Sequence, residues 1–368
     1  MEAESKPNHE EKKDKNNCIN TINAINANNS KLFKSNPAKI EFLNDIIEDS
    51  YSDYTLDNTF CIFQSINKIF YLIYANEKNS IISYDIAHNK KICELIKAHE
   101  NYITNFRHHL DIINERDLLI SISADDNNIK LWDVRNFECL LNLPNINRKG
   151  CLYSACFLNY NNDIFILSSN STFKSEPIKV YDLKGNKVKM IKTNRDSIYF
   201  IDTYYDKKSN KIYIITGNQG HASSYDFIKN DFYKIYLDNN NECHDSLIIY
   251  DTNDTNDSND IVKLIESSKD GYIRIFNFNT GIIIHKFKAS NLYLVSICLW
   301  NDHYLFAASG DKSIKLIDLN DGKVIKRFFE HKNSVITIKK FIHPIYGECL
   351  ISQNKEKSEI KLWIINNN

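Results

Sequence analysis

The sequence predicts an all-β fold: a seven-bladed β-propeller of four-stranded antiparallel blades, closed by a strand from the N-terminal side. Three observations predict it. First, short runs of Ile, Val, Leu, Tyr and Phe, many alternating with polar residues, recur from about Lys39 to the C-terminus, and no long segment keeps a helical period. Second, the most regular runs superimpose: SIISYDI around Tyr84, NIKLWDV around Trp132, PIKVYDL around Tyr181, SSYDF around Tyr225, YIRIFNF around Phe276, SIKLIDL around Ile317 and EIKLWII around Trp363. Third, their anchors stand 48, 49, 44, 51, 41 and 46 residues apart, a period of propeller blades and not of two independent domains.

Each unit contains the same pieces in the same order. In the second, YITNFRHH is the inner strand, LLISIS the next, IKLWDV the third and CLLNLP the outer one; the sixth repeats this with LYLVSICLW, LFAAS, IKLIDL and KVIKRFF. A blade with two apolar faces needs neighbours to cover both, so several must stack. The seventh unit has only three such strands after its start. AKIEFLND, residues 38–45, precedes the first unit with no sheet of its own, and is expected to supply the missing outer strand and so remove the open edges.

Residues 1–31 are polar, rich in Asn and Lys, and poor in large apolar side chains; they read as a disordered leader, with a single propeller over 32–368. The longest interval between anchors holds DTNDTNDSND at 251–260. Its spacing of oxygen donors is superficially that of a calcium loop, but the Gly at the sixth position is absent and Val262 stands where the bidentate Glu belongs, so it reads as a mobile solvated insertion. The chain has only 9 Gly and 5 Pro, too few for the turns of a β protein. Gly185, Gly281 and Gly322 follow third strands, and Gly217, Gly220 and Gly271 fall at second-to-third turns; elsewhere Asn and Asp, which tolerate left-handed backbone, fill turns such as 125–128 and 320–322.

Composition narrows the function. With 46 basic and 47 acidic residues there is no basic excess, which argues against nucleic acid as the main partner. The longest apolar run, Leu292 to Trp300, is nine residues, far short of the roughly 20 that span a bilayer. The first residues, MEAESKPNHEEKKDKNN, lack the apolar core of a signal peptide, so a reducing compartment, cytoplasm or nucleus, is expected. The nine cysteines form no C-x-x-C pair and read as small buried hydrophobes. His108 and His109 are adjacent, so on a strand they point to opposite faces and cannot share a metal.

On these residues the chain resembles the WD40-repeat family. The stretch from His99 through SADDNNIKLWD carries the pattern most fully: His99 before the inner strand, Ser121 and Ser123 in the second strand, Asp126 in the turn and Trp132 in the third. The resemblance implies that such residues form a hydrogen-bonded chain fixing the blade, which makes them structural. Asp270 and Asp311 keep the turn aspartate, and His331 and Trp363 keep the two ends in the last unit; the Trp position is otherwise Tyr84, Tyr181, Tyr225, Phe276 and Ile317. The resemblance covers roughly 38–366, strongest in units two, six and seven and weakest in one and four.

No motif supports catalysis or a cofactor: G-x-S-x-G, H-E-x-x-H and Gly-rich phosphate loops are all absent. The expectation is a non-enzymatic scaffold, a monomeric propeller within a larger complex, binding a peptide or domain of other proteins and neither membrane nor cofactor. By alignment to unit two, Tyr102 and Tyr293 stand just before inner strands, with Asn127 and Lys312 in second-to-third turns, all on the narrow face where exposed Tyr serves as a hot spot. Residues 132–135 spell W-D-x-R, and Tyr181 to Lys184 a looser version. These endings resemble the motif by which some WD40 proteins dock on the adaptor of cullin-RING ubiquitin ligases, with Arg135 and Lys184 pairing with adaptor carboxylates. Substrate receptor is thus the alternative, and a propeller-type hydrolase the remote third.

Overall fold

The computed structural model describes residues 33–52, 58–123, 125–144, 151–171, 177–193, 197–250 and 261–366, so the leader 1–31 and the tract 251–260 lie outside the described residues. Among the described residues, a one-turn 3-10 segment at Pro37–Lys39 is followed by twenty-six strands. Blade one is β2 (Phe60–Gln64), β3 (Phe70–Ala75), β4 (Ile81–Asp85) and β5 (Lys90–Leu95); blade two is β6 (Ile103–Asp111), β7 (Arg116–Ser123), β8 (Asn128–Asp133) and β9 (Glu138–Pro144). Blade three is β10 (Cys151–Tyr160), β11 (Asp163–Ser171), β12 (Ile178–Asp182) and β13 (Lys187–Ile191), and blade six is β20 (Leu294–Leu299), β21 (Tyr304–Ser309), β22 (Ile314–Asp318) and β23 (Val324–Phe328). Blade seven takes β24 (Val335–His343), β25 (Gly347–Asn354) and β26 (Glu356–Ile365) from the C-terminal end, and β1 (Ile40–Ser52) as its outer strand.

Blades four and five share one continuous sheet of β14 (Ile198–Asp206), β15 (Lys211–Asp226), β16 (Asp231–Tyr250), β17 (Lys263–Ser268), β18 (Tyr272–Asn277) and β19 (Ile283–Lys288). Extended backbone runs here through two positions that the repeat uses as breaks. β15 holds both middle strands of blade four, folded back so that the Phe227 amide donates to the Ile212 carbonyl at 2.9 Å. β16 is the outer strand of blade four at its start and the inner strand of blade five at its end, pairing first with β15 and then with β17.

The ring is closed. Inner strands touch in the cyclic order β2, β6, β10, β14, β16, β20, β24 and back to β2. The closing strand extends further than 38–45 suggested: β1 pairs with β26 from Ile40↔Ile365 to Ser52↔Glu356, with three register shifts along the way. A second tie lies just upstream. Phe33 packs edge-on against Trp300, ring centroids 4.7 Å apart, the Trp300 indole donates to the Ser35 carbonyl, and Glu348 accepts from the amides of Lys34 and Ser35.

The apolar core is divided rather than single. Seven buried clusters among the described residues each lie between two neighbouring blades, from Ile73, Phe106 and Trp132 between blades one and two to Leu72, Tyr84 and Ile351 between seven and one. Middle strands are therefore buried on both faces, as in β7, while outer strands such as β19 are mostly exposed. The repeat also shows in the backbone. Outside blade one, every inner strand slips register near the start of its pairing, as at Ile103/Asn105, Leu152/Ser154, Leu294/Ser296 and Val335/Thr337. In blades one to six the third strand slips just before its anchor, even in the degenerate units at Ser83/Tyr84 and Ser224/Tyr225.

The turns use Asn as the sequence suggests. Eight Asn and six Gly among the described residues hold positive φ, including Asn79 (58°), Asn127 (55°) and Gly271 (77°) in equivalent second-to-third turns. At Gly271 a side chain is excluded outright, since a Cβ would stand 2.1 Å from the Ser290 carbonyl oxygen.

Candidate interaction surfaces

The up-and-down course of each blade puts the second-to-third turns and the connections into inner strands on one face, the narrow one. The first-to-second and third-to-outer turns share the wide face. The sequence-selected residues divide accordingly, and the blade-fixing set comes first because it sets the stiffness of both.

In blade two, Trp132 Nε1 donates to Ser121 Oγ at 2.8 Å, Ser121 Oγ meets His99 Nε2 at 2.7 Å, and His99 Nδ1 meets Asp126 Oδ2 at 3.1 Å. An indole N–H can only donate and a carboxylate only accept, so Trp132 is the donor at one end of the chain and Asp126 the acceptor, from His99 Nδ1–H, at the other. Burial works to raise the Asp126 pKa, but hydrogen bonds from His99 and from the Asn128 and Glu100 amides hold the carboxyl below its usual range. Ser123 stands outside the chain, its buried hydroxyl without a partner.

Blade seven repeats the first two links: Trp363 Nε1 donates to Ser352 Oγ at 2.7 Å, which meets His331 Nε2 at 2.7 Å. His331 Nδ1 is buried with no acceptor. Burial, helped by the Lys361 charge, pushes this imidazole down to about 3. In blade six the chain becomes Ser290 to Ser309 at 2.8 Å, with Asp311 binding Lys315 and Ser313. In blade five Asp270 binds Ser268 and Arg274; Arg274, almost fully buried, also meets Asp238 at 2.6 Å and Glu266 at 3.4 Å. Asp270 is thus held far below the usual carboxylate range, despite burial, by Arg274 and Ser268. One cation serving three carboxylates replaces the His and Trp, an exchange that the Asp alone did not reveal.

On the narrow face, Tyr102 is half-buried immediately before β6. Tyr293 is not a free ring: it lies over Gly310, where a Cβ would come within 2.5 Å, and its hydroxyl donates to Ser334 Oγ at 3.0 Å, tying blade six to seven. Asn127 is likewise engaged, its Oδ1 accepting from the Leu152 amide of blade three at 3.0 Å. Lys312 is exposed, in a left-handed turn position (φ 69°). The surface that sequence reasoning missed is an open cleft of about 540 Å³ between blades one and two, lined by Lys78, Asn79, Ile96, Lys97, His99 and Glu100. Ile96 there is 74% exposed. It is invisible to a motif search because it combines a turn of one blade with the connection to the next.

On the wide face, Arg135 sits in the β8–β9 turn, half exposed, and folds onto its own turn: Nη2 to Asp133 Oδ2 at 2.9 Å and Nε to Oδ1 at 3.2 Å. Lys184 is exposed in the β12–β13 turn, where its amide donates to Asp182 at 2.9 Å. His108 and His109 do diverge: His108 stacks on Phe63 of blade one (3.6 Å, 8°) and its Nε2 donates to Asp117 Oδ1 at 2.7 Å, while His109 lies 5.1 Å from Phe157 of blade three. Burial pushes His109 down to about 4. Among the described residues no helix is long and apolar enough to cross a membrane.

No protein-family model matches the chain, and no curated protein resembles it significantly. The fold itself defines the class: a seven-bladed β-propeller of four-stranded antiparallel blades, in which function resides in surface sites and not in the scaffold.

Proposed function

We propose that this protein is a WD40-type, non-enzymatic scaffold of the cytoplasm or nucleus that binds a peptide or domain of another protein on its narrow face. The single observation that carries the reading is the cleft between blades one and two, whose lining joins an exposed Ile96 to Lys78, Lys97 and Glu100. An apolar anchor with a charged rim is the usual make-up of a protein-binding hot spot. The His–Ser–Trp sets of blades two and seven support the WD40 type. Outer strands of blades four and five add exposed Phe232, Ile235, Leu237, Ile282 and Ile283, an apolar flank for a second contact.

The test is affinity capture from native cells with the full chain as bait. Ile96→Asp with Tyr102→Ala is expected to reduce the main partner at least tenfold; undiminished recovery overturns the narrow-face reading. The substrate-receptor reading rests on the half-exposed Arg135 guanidinium, which must exchange Asp133 for an adaptor carboxylate. Arg135→Ala with Lys184→Ala should then abolish recovery of a cullin adaptor, and unchanged recovery removes it.

A further inference from the structure

The stretch before β1 crosses the wide face of blade seven from its rim inward. At the rim, the Asn366 amide just past β26 donates to the Lys39 carbonyl at 3.0 Å. One strand further in, Glu348 of β25 accepts from the Ser35 amide at 2.8 Å and the Lys34 amide at 3.0 Å. Innermost, the Phe33 ring centre lies 4.8 Å from the Lys340 ammonium of β24, and the Phe33 amide donates to the Trp300 carbonyl at 2.8 Å. From Lys39 back to Phe33 each step moves one strand closer to the axis, so the residues that precede Phe33 are delivered to the inner strand of blade seven on its wide face.

What they meet there is apolar. Ile342 follows Lys340 by two residues on β24, so it projects from the same face of the strand, and it pairs directly opposite Glu348. Ile342 is exposed, and the turn that closes the same hairpin adds Tyr346 and a 68% exposed Ile345. Three large apolar side chains within five residues of one turn form the kind of patch that marks an interaction site. The chain itself holds a matching segment. Apart from Met1, the large apolar residues of 1–31 are Ile19, Ile22 and Ile25, set at every third position with Asn after each. Eight residues lead from Ile25 to Phe33, a reach of up to about 28 Å, and the patch begins opposite the very carboxylate that holds Lys34.

We infer that Ile19, Ile22 and Ile25 seat on Ile342, Ile345 and Tyr346, so that the leader of this chain docks on its own wide face. Three isoleucines are too few to build a core, but they are enough to cover a patch of this size. A tether of this length places the segment at an effective concentration in the millimolar range, which populates a contact too weak to hold a free peptide. The seat is on the face opposite the cleft of blades one and two and does not depend on the partner proposed there.

Hydrogen exchange of the full chain, read by mass spectrometry, tests the seat. The amides of residues 18–27 should exchange at least threefold more slowly in wild type than in Ile345→Asp. In the converse variant, Ile19→Asn with Ile22→Asn and Ile25→Asn, hydroxyl-radical labelling of Tyr346 should rise at least twofold. Equal exchange in wild type and Ile345→Asp overturns the seat, and so does unchanged labelling of Tyr346. Protection that is lost on tenfold dilution assigns the segment to a second copy of the chain and overturns the intramolecular contact. Should Ile345→Asp fail to fold by circular dichroism, the leader variant still decides, because its substitutions all precede the first strand of the ring.

Discussion

Blades two and seven carry His, Ser and Trp at nearly the same spacing and with hydrogen bonds of nearly the same length, yet their chains end differently. In blade two the chain from Trp132 through Ser121 and His99 ends on the Asp126 carboxylate. In blade seven it stops at His331 Nδ1, which has no acceptor. The residue preceding the left-handed turn position is Asp126 before Asn127 in one and Lys355 before Glu356 in the other. Blade seven is compensated elsewhere. Trp363 is fully buried among Phe42, Phe328 and His331, and Phe42 belongs to the closing strand. One blade is thus fixed by a completed polar chain, and the other by aromatic packing and a strand from the opposite end of the protein.

The largest effect expected from this difference is at the tryptophans. Trp363→Ala should cost about 3–5 kcal/mol in chemical denaturation, and more than Trp132→Ala, because it also loosens the ring closure. Equal losses would show that closure does not depend on that contact. Next is pH. His331 titrates near 3 in the folded protein against an ordinary value near 6.5, so between these the unfolded chain binds a proton that the folded chain does not. Stability is therefore lost as pH falls from about 6.5 toward 3, by a few kcal/mol from this group. His331→Gln should flatten the slope of denaturation midpoint against pH in that window, and an unaltered slope would place the acid sensitivity elsewhere. The smallest effect is in blade two: Asp126→Asn keeps the shape but weakens the terminal acceptor, a loss of about 1–2 kcal/mol at pH 7. No loss there would mean that the completed chain adds nothing over blade seven's interrupted one.

A further prediction sets blade five beside both. Arg274→Met leaves Asp238 its Lys286 partner but takes the guanidinium from the buried Glu266 and from Asp270, and removing one partner of a buried ion pair typically costs about 3–5 kcal/mol. Lowering the pH should restore part of that stability by protonating the carboxylates, measurable as an inverted pH dependence in the variant.

The legible parts of the fold were those with a period. Third strands such as IKLWDV and IKLIDL are buried on both faces, which demands near-continuous apolar runs of fixed length; the left-handed position in the turn that follows is Gly322 after the second but Phe137 after the first. The closing strand was legible by subtraction, since a three-stranded last blade leaves an edge. Blade four, with blade one the weakest in the repeat pattern, runs its strands through the expected breaks because β16 serves two blades. Among the site residues, Lys312 is exposed and Tyr102 half-buried, whereas Tyr293 and Asn127 are spent on neighbouring blades. Gly310 was the available signal: a glycine with ordinary φ, needed only because a ring lies on it.

The amino-acid sequence by itself determined the repeat, the strands within it, the turn alphabet of Asn and Gly, and the pairing of His with Trp, because all of these are set by burial periodicity and backbone sterics within some fifty residues. Only the tertiary structure decided which histidine has an acceptor and that Tyr293 ties blade six to blade seven. Those outcomes depend on side chains from different blades meeting across the ring, and no local pattern encodes that distance.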